Sequence, residues 1–239
     1  MNDLSSAQTV RDQDNVWDYF QTDGASIFDY AVPRLNYLFH KAARLAGDRR
    51  IHVLNIGIGN GWLEKRCQTQ GWETVALDPT FSAAKGVAVG GVDAVIGGIE
   101  ALPFREDSFD IIFCSEVLEH LTTDLLERGL QEIGRVLKPN GSLLGTVPYE
   151  EPLELRRTVC PSCNHIHHAY GHHQSFTIKR MTGLFLTMGL QPVDFKIRSF
   201  PGFRRRNLTG KIKSLVWVIV GQFGAQAADS KIVFAAKPS

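Results

Sequence analysis

From Ile51 onward, short β-rich apolar runs recur between helical or turn segments, the pattern of a parallel sheet covered on both faces. The runs predict seven strands, at residues 52–56, 74–77, 94–96, 110–114, 142–147, 192–197 and 231–236. Between the fourth and fifth, Leu126, Leu130, Ile133 and Leu137 recur at helical spacing. Thr123 or Asp124 can cap the start of this helix, and Pro139, Asn140 and Gly141 stop it. It is expected to be a crossover whose apolar stripe is core. Ahead of the sheet, residues 16–45 predict one or two amphipathic helices carrying Trp17, Phe20, Phe28, Tyr30, Tyr37 and Phe39. This N-terminal helical cap, within residues 1–50, can cover the sheet or close over a ligand. The fold class is α/β.

With 239 residues, 44% hydrophobic and 21% charged, the chain can bury one good core, and a single domain over 1–239 is expected. Lys and Arg number 26 against 25 Asp and Glu, a net charge of +1. No global field therefore draws the protein onto nucleic acid or an acidic membrane. Residues 1–15 are polar where a secretory signal needs an apolar run, and no stretch reaches the length of a membrane span, so a cytoplasmic location is expected. Cys67 and Cys114 lie in apolar patterns and read as buried small hydrophobes, whereas Cys160 and Cys163 lie among histidines. Two segments interrupt the repeat: 149–175, with the Cys/His cluster, and 199–229, with a basic and then an apolar run. Both leave the carboxyl ends of strands, where open α/β sheets bind ligands, so both are expected to border the active site.

The first strand runs into Asn55-Ile56-Gly57-Ile58-Gly59-Asn60-Gly61-Trp62 and then a helix. Glycines here allow a sharp bend and let a nucleotide lie against bare backbone. The dinucleotide spacing G-x-G-x-x-G needs glycine where Trp62 stands, so a diphosphate cradle and NAD-type redox chemistry are disfavoured. Asp78 ends the next strand, where an acid accepts hydrogen bonds from both ribose hydroxyls; its bland reading is a turn residue before Pro79.

The sequence resembles the class I S-adenosylmethionine-dependent methyltransferases, especially the ubiquinone- and menaquinone-type branch. The resemblance covers roughly residues 51–147 and rests on several motifs. They are Asn55 to Gly61, Asp78, Glu100-Ala101-Leu102-Pro103-Phe104, Ser108-Phe109-Asp110, Ser115-Glu116-Val117-Leu118-Glu119-His120 and Leu137-Lys138-Pro139-Asn140-Gly141. It implies a Rossmann-like seven-stranded methyltransferase sheet that binds S-adenosylmethionine. Gly57, Gly59 and Gly61 would line the methionine and ribose, Asp78 would hold the ribose, Ile99 would meet the adenine edge through its backbone, and Ser115 would lie beside the sulfonium. Asn55, Pro79, Gly98 and Glu100 complete the implied cofactor-binding set. Two positions depart from the family: Asn55 replaces an acid, and Gly98 replaces an aspartate that often binds the adenine amino group. The second departure implies loss of a contact worth about 1 kcal/mol.

A sulfonium leaves readily, so methyl transfer chiefly needs alignment and exclusion of water, with a base for an oxygen or nitrogen acceptor. Candidate bases are His120, Glu116 and Glu119 after the fourth strand, with His172, His173 or Tyr149 from the first insertion; His120 and Glu116 are carried as the catalytic pair. A helix-start histidine with a local hydrogen bond is the bland alternative for His120. The run Glu116-x-x-Glu119-His120 also resembles a Mg²⁺-binding pattern of some O-methyltransferases, completed by a later histidine. C-x-x-C with histidines four apart suits structural zinc. Resemblance to insertions in some bacterial methyltransferases selects Cys160, Cys163, His168 and His172 as Zn²⁺ ligands. His165, His167 and His173 are substitutes, and a redox pair or an unmetallated loop is the alternative. Arg204, Arg205, Arg206, Lys211 and Lys213 precede the apolar run 215–220, so 203–220 suits peripheral membrane contact, a greasy lid, or a core helix with a basic end. Together these point to methyl transfer onto a small or lipophilic molecule, at oxygen. A nucleic-acid or protein methyltransferase, or an inactive cofactor-binding or zinc-organised interaction module, is the alternative.

Overall fold

The computed structural model describes residues 25–200 and 230–239. The strands are β1 (His52–Ile56), β2 (Glu73–Asp78), β3 (Asp93–Ile96), β4 (Phe109–Ser115), β5 (Leu137–Pro148), β6 (Arg157–Val159), β7 (Ile166–His168), β8 (Leu190–Ser199) and β9 (Ser230–Pro238). Seven of them form one sheet in the order β3-β2-β1-β4-β5-β9-β8, and β6 and β7 form a separate antiparallel hairpin. All seven strands expected from the apolar runs are present, each at or slightly beyond its expected bounds. Their directions are not all as expected. β1 to β5 pair in parallel, but β9 slips between β5 and β8 and runs antiparallel to both. A buried strand is apolar in either direction, so the run of residues carries no sign of it.

Five helices are described: α1 (Val32–Ala46), α2 (Trp62–Thr69), α3 (Phe81–Val89), α4 (Thr123–Val136) and α5 (Ile178–Thr187). Alternate residues of one strand point to opposite faces, which divides the core in two. On one face Leu54, Ile56, Ile112, Cys114, Leu143 and Phe234 pack with the buried sides of α4 and α5. On the other, Val53, Ile111, Phe113, Leu144 and Val233 pack with Leu38, Phe39, Ala42 and Ala46 of α1 and Leu63 and Cys67 of α2. Helix α1 follows a 3₁₀ turn at Ala25–Ala31 and carries a proline in its first turn, where the missing N–H is harmless. Trp17 and Phe20 of the expected cap lie outside the described residues.

Helix α4 differs at both ends from its expected form. Its N-cap is Thr122, not Thr123 or Asp124, and it ends at Val136. Leu137 starts β5 and pairs with Phe109, so Pro139, Asn140 and Gly141 lie within strand rather than in a turn. The fourth apolar position is buried either way, so periodicity alone does not separate the end of the helix from the start of the strand. Cys67 and Cys114 are both buried, as expected.

Candidate active site

The strand order reverses between β1 and β4, and at the carboxyl ends of these strands lies a cavity of about 880 Å³. Its walls come from far apart in the chain. They include the glycine loop after β1, the end of β2, the turns after β3, β4 and β5, Phe28 and Arg34 from the N-terminal cap, and Ser230 and Lys231 opening β9. The first insertion contributes Glu151, Arg156, Tyr170 and His172, so it borders the cavity as its departure from β5 implies. Residues 203–220 lie outside the described residues.

Gly57, Gly59 and Gly61 all have positive φ, 83°, 61° and 73°, which explains glycine at each. A Cβ on Gly57 would come within 2.6 Å of Val117 Cγ2, so the loop lies directly against the turn after β4. Asp78 is buried, and its carboxylate accepts from the Ile58 amide at 3.0 Å, the Thr80 amide at 2.9 Å and the Thr80 hydroxyl at 2.6 Å. It therefore ties the glycine loop to the end of β2 as well as facing the cavity beside Pro79.

At each of the two positions that depart from the expected pattern, an acid stands nearby. The Asn55 amide donates to Gly57 O and to Glu64 Oε1, so the carboxyl group beside the loop stands on α2 and not on β1. A side chain on Gly98 would run into the Glu100 carboxylate, whose oxygens stand 2.3 and 2.4 Å from the position a Cβ would take. The volume left by glycine is thus occupied by a carboxylate on the cavity wall. Ile99, between them, is buried.

Beyond Ser115 the site becomes polar and charged. Ser115 Oγ accepts from Arg34 Nε at 3.0 Å and lies 2.9 Å from Thr146 Oγ1. Glu116 has φ +58° and faces Lys231 Nζ at 2.5 Å and Arg34 at 3.8 Å. Burial pushes the Glu116 carboxyl up, but the charges of Arg34 and Lys231 outweigh it and hold it well below the usual carboxylate range. An acid held ionised by two cations is a weak proton acceptor. Glu119 is fully buried, and neither of its oxygens has a hydrogen-bond partner among the described residues. Burial and then the charge of Glu116 raise its pKa well above the usual carboxylate range. His120 donates from Nδ1 to Gly171 O at 3.3 Å. Burial, and then His172, lower its pKa to about 3, so it is neutral but only feebly basic.

The four expected zinc ligands are not brought together. Cys160 and Cys163 sit at the tip of the β6–β7 hairpin, whereas His168 pairs with Arg157 at its base, three residue steps and about 10 Å from Cys160 along the strand. His168 and His172 instead gather with Glu151, their ligand-type atoms all within 4.8 Å, and no such group among the described residues contains a cysteine. Nor do the residues fit Mg²⁺. Arg34 and Lys231 both pair with Oε2 of Glu116, and the group that gathers is Glu119 with two imidazoles, His120 and His172, a donor set poorer in oxygen than that hard cation favours.

Arg34, Glu64, Glu151 and Lys231 were not singled out from the sequence. The one signal was Glu64, an acid between Leu63 and Cys67 on the buried side of α2.

Comparison with known proteins bears on the whole domain. Residues 54–145 match the family described as a methyltransferase domain. The chain is 30% identical to the ubiquinone/menaquinone biosynthesis C-methyltransferase of Vibrio campbellii over 179 residues, 72% of this chain and 58% of that one. It is 30% identical to the bifunctional biotin-biosynthesis protein of Cellvibrio japonicus over 148 residues, 60% of this chain and 26% of that one. With malonyl-[acyl-carrier protein] O-methyltransferase 1 of Coxiella burnetii it shares 32% over 122 residues, 51% of this chain and 42% of that one. The chain thus spans about half or less of the length of most of the curated relatives it matches first. Among solved structures, the 1,6-didemethyltoxoflavin-N1-methyltransferase of Burkholderia thailandensis, with its substrate and S-adenosylhomocysteine bound, superposes with TM-score 0.69 at 17% identity, covering 100% of this chain and 91% of that one. The complex of the Haloferax volcanii Trm112 activator with a methyltransferase matches with TM-score 0.68 at 16% identity, covering 94% and 96%. The fold is the Rossmann-like fold that these solved methyltransferase structures share, and residues 54–145 match the methyltransferase-domain family.

Proposed function

We propose that this protein transfers a methyl group from S-adenosylmethionine to a small or lipophilic molecule, at oxygen. The observation that carries the cofactor assignment is the glycine loop, with three residues at positive φ, lying beside buried Asp78 on a cavity at the switch point of the sheet. The residues present fit the group: positive φ and close approach to Val117 require glycine at Gly57 on the cavity wall, and Glu100 stands where Gly98 has no side chain. When bound, S-adenosylmethionine supplies a methyl group on a sulfonium, a strong leaving group. Asp78 accepts from the ribose hydroxyls, the Ile99 backbone and the Glu100 carboxylate meet the adenine, and Asn55, Gly57, Gly59 and Gly61 line the methionine side. Ser115 marks the boundary between this half of the cavity and the acceptor half, walled by Glu119, His120, Tyr149 and His172. Phe28 lies over Gly59 and helps keep water out.

A small acceptor is supported by the relatives whose names state a substrate class and by the enclosing insertion. The 203–220 run adds peripheral membrane contact for a lipophilic acceptor, on the strength of its basic and apolar sequence. Among the described residues no helix is long and apolar enough to cross a membrane. Calorimetric titration with S-adenosylmethionine, S-adenosylhomocysteine and NADH tests the cofactor. The first two should bind and the third should not, and Asp78→Ala should weaken binding about 10- to 100-fold, the loss of one to two charge-assisted hydrogen bonds. Binding of NADH alone would overturn the assignment.

A further inference from the structure

The first insertion sets one carboxylate between two imidazoles at the acceptor end of the cavity. Their donors and acceptors fix the protons. His168 Nδ1 accepts from the amides of Tyr170 at 3.3 Å and His172 at 3.1 Å, which leaves the ring proton of neutral His168 on Nε2, facing Glu151 Oε1 at 3.7 Å. Glu151 Oε2 meets His172 Nδ1 in a short hydrogen bond. Burial pushes the Glu151 carboxyl up, but the hydrogen bond from His172 and the neighbouring imidazoles outweigh it and keep it below the usual range. Ionised, it can only accept, so His172 Nδ1 is the donor and the ring's lone pair lies on Nε2. The side chains of Glu151, His168 and His172 are only 12, 7 and 11% exposed. The His172 ring stands edge-on to His120 with centroids 4.5 Å apart, and both line the cavity that holds the glycine loop.

We propose that His172 is the general base of the reaction and that Glu151 is the residue that positions it. The proposal rests on the methyl-transfer reading and narrows it to an acceptor whose nucleophilic atom carries a proton, a hydroxyl group. As the acceptor oxygen forms its bond to the methyl carbon, the carbon–sulfur bond breaks and its electron pair stays on sulfur. The hydroxyl proton passes to His172 Nε2. The positive charge that began on sulfur ends on the imidazolium, beside the Glu151 carboxylate, so no net charge is created in the closed site. Neither neighbour serves as well: buried His120 is held by Gly171 O and lowered in basicity, and burial beside Glu116 raises the Glu119 carboxyl towards its protonated form.

The test uses the full chain, radiolabelled S-adenosylmethionine and a series of phenols from 4-nitrophenol to 4-methoxyphenol, with benzoate as an acceptor that needs no base. His172→Gln should lower kcat on the phenols about 10²- to 10³-fold with little change in KM, most severely for the least acidic, and spare benzoate. Glu151→Gln should lower kcat at least about 10-fold by releasing the tautomer. His165→Gln, an exposed histidine of the same hairpin, should change nothing, and thermal melts check that each variant is folded. In parallel, ¹⁵N-histidine spectra of the wild type should show His172 protonated at Nδ1 and bare at Nε2, a pattern lost in Glu151→Gln. An unchanged kcat in His172→Gln, a proton on Nε2, or activity abolished by chelation and restored by a transition metal would overturn the proposal. Transfer to no phenol would overturn the hydroxyl assignment, whereas absence of S-adenosylmethionine binding would overturn the reading beneath it.

Discussion

Glu64 shows how one residue can carry a pH-dependent liability inside an otherwise apolar helix face. It is fully buried, accepts from Asn55, and has a second oxygen without a partner among the described residues. Burial, only partly offset by the Asn55 hydrogen bond, lifts its pKa from 4.5 to about 7. Below the lower value both folded and unfolded chains hold the proton. Between the two values the unfolded chain ionises and the folded one does not, so stability falls as pH rises, by about 3 kcal/mol in all, and levels off above the folded value. Glu64→Gln keeps the acceptor for Asn55 and removes the ionisation. Urea unfolding should find it close to the wild type at pH 4 and up to about 3 kcal/mol more stable at pH 8. A wild-type stability that does not fall over this interval would show that Glu64 is not held protonated. Asn55 was legible as a departure from pattern, but its compensation was not, because Glu64 lies nine residues on and only the packing of α2 on β1 joins them.

At the scale of elements, glycines separate positions set by packing from those that are merely tolerated. Gly145 lies in β5 between Cys114 of β4 and Phe234 of β9. A Cβ there would stand 2.0 Å from the Cys114 carbonyl oxygen and 2.4 Å from the Phe234 ring, contacts that only movement of the backbone could relieve. Gly145→Ala should therefore destabilise the protein by about 3 kcal/mol. Gly183 lies within α5 with nothing within 4 Å of its Cβ position. Gly183→Ala should stabilise by about 0.5–1 kcal/mol through helix propensity and a less entropic unfolded chain. Thermal denaturation of the two variants side by side should move the midpoint in opposite directions. Movement in the same direction would mean that β5 can relax or that α5 is strained. The β6–β7 hairpin makes the complementary point. Its C-x-x-C and histidines read as one metal shell in sequence, yet strand pairing carries the thiols to the tip and His168 to the base.

Across the whole molecule, Glu116 is the point where the ends of the domain meet. Arg34 arrives from α1 and Lys231 from β9, and both converge on a carboxylate in the turn after β4 whose backbone has φ +58°. The pairs are largely buried, with side chains 16 to 22% exposed, so removing the acid leaves two cations without their counter-charge. Because the folded pKa lies below the unfolded value, the contribution is fully present above about pH 5 and is lost as pH falls through the folded pKa. Glu116→Gln should cost about 2 kcal/mol at pH 7, with the difference from wild type shrinking towards pH 2. Chemical denaturation across that range would show a pH-independent difference if the carboxylate acts through packing instead of charge. The same clamp holds Glu116 ionised and so makes it a weak proton acceptor.

The seven strands, the glycine loop, Asp78 and the crossover helix could be read from the sequence alone, because each depends on residues adjacent along the chain. Apolar runs make strands, helical spacing makes a buried stripe, and glycine marks positive φ. The tertiary structure decided whatever depends on direction or on distant partners. It set β9 antiparallel between β5 and β8, placed Glu100 in the space left at Gly98, and joined Arg34 and Lys231 on Glu116. It also turned His172 towards Glu151 and away from the thiols. Hydrogen bonds and ion pairs act over a few ångströms of space, and residues 34, 116, 151, 172 and 231 come within that range only once the sheet has closed and both faces are packed.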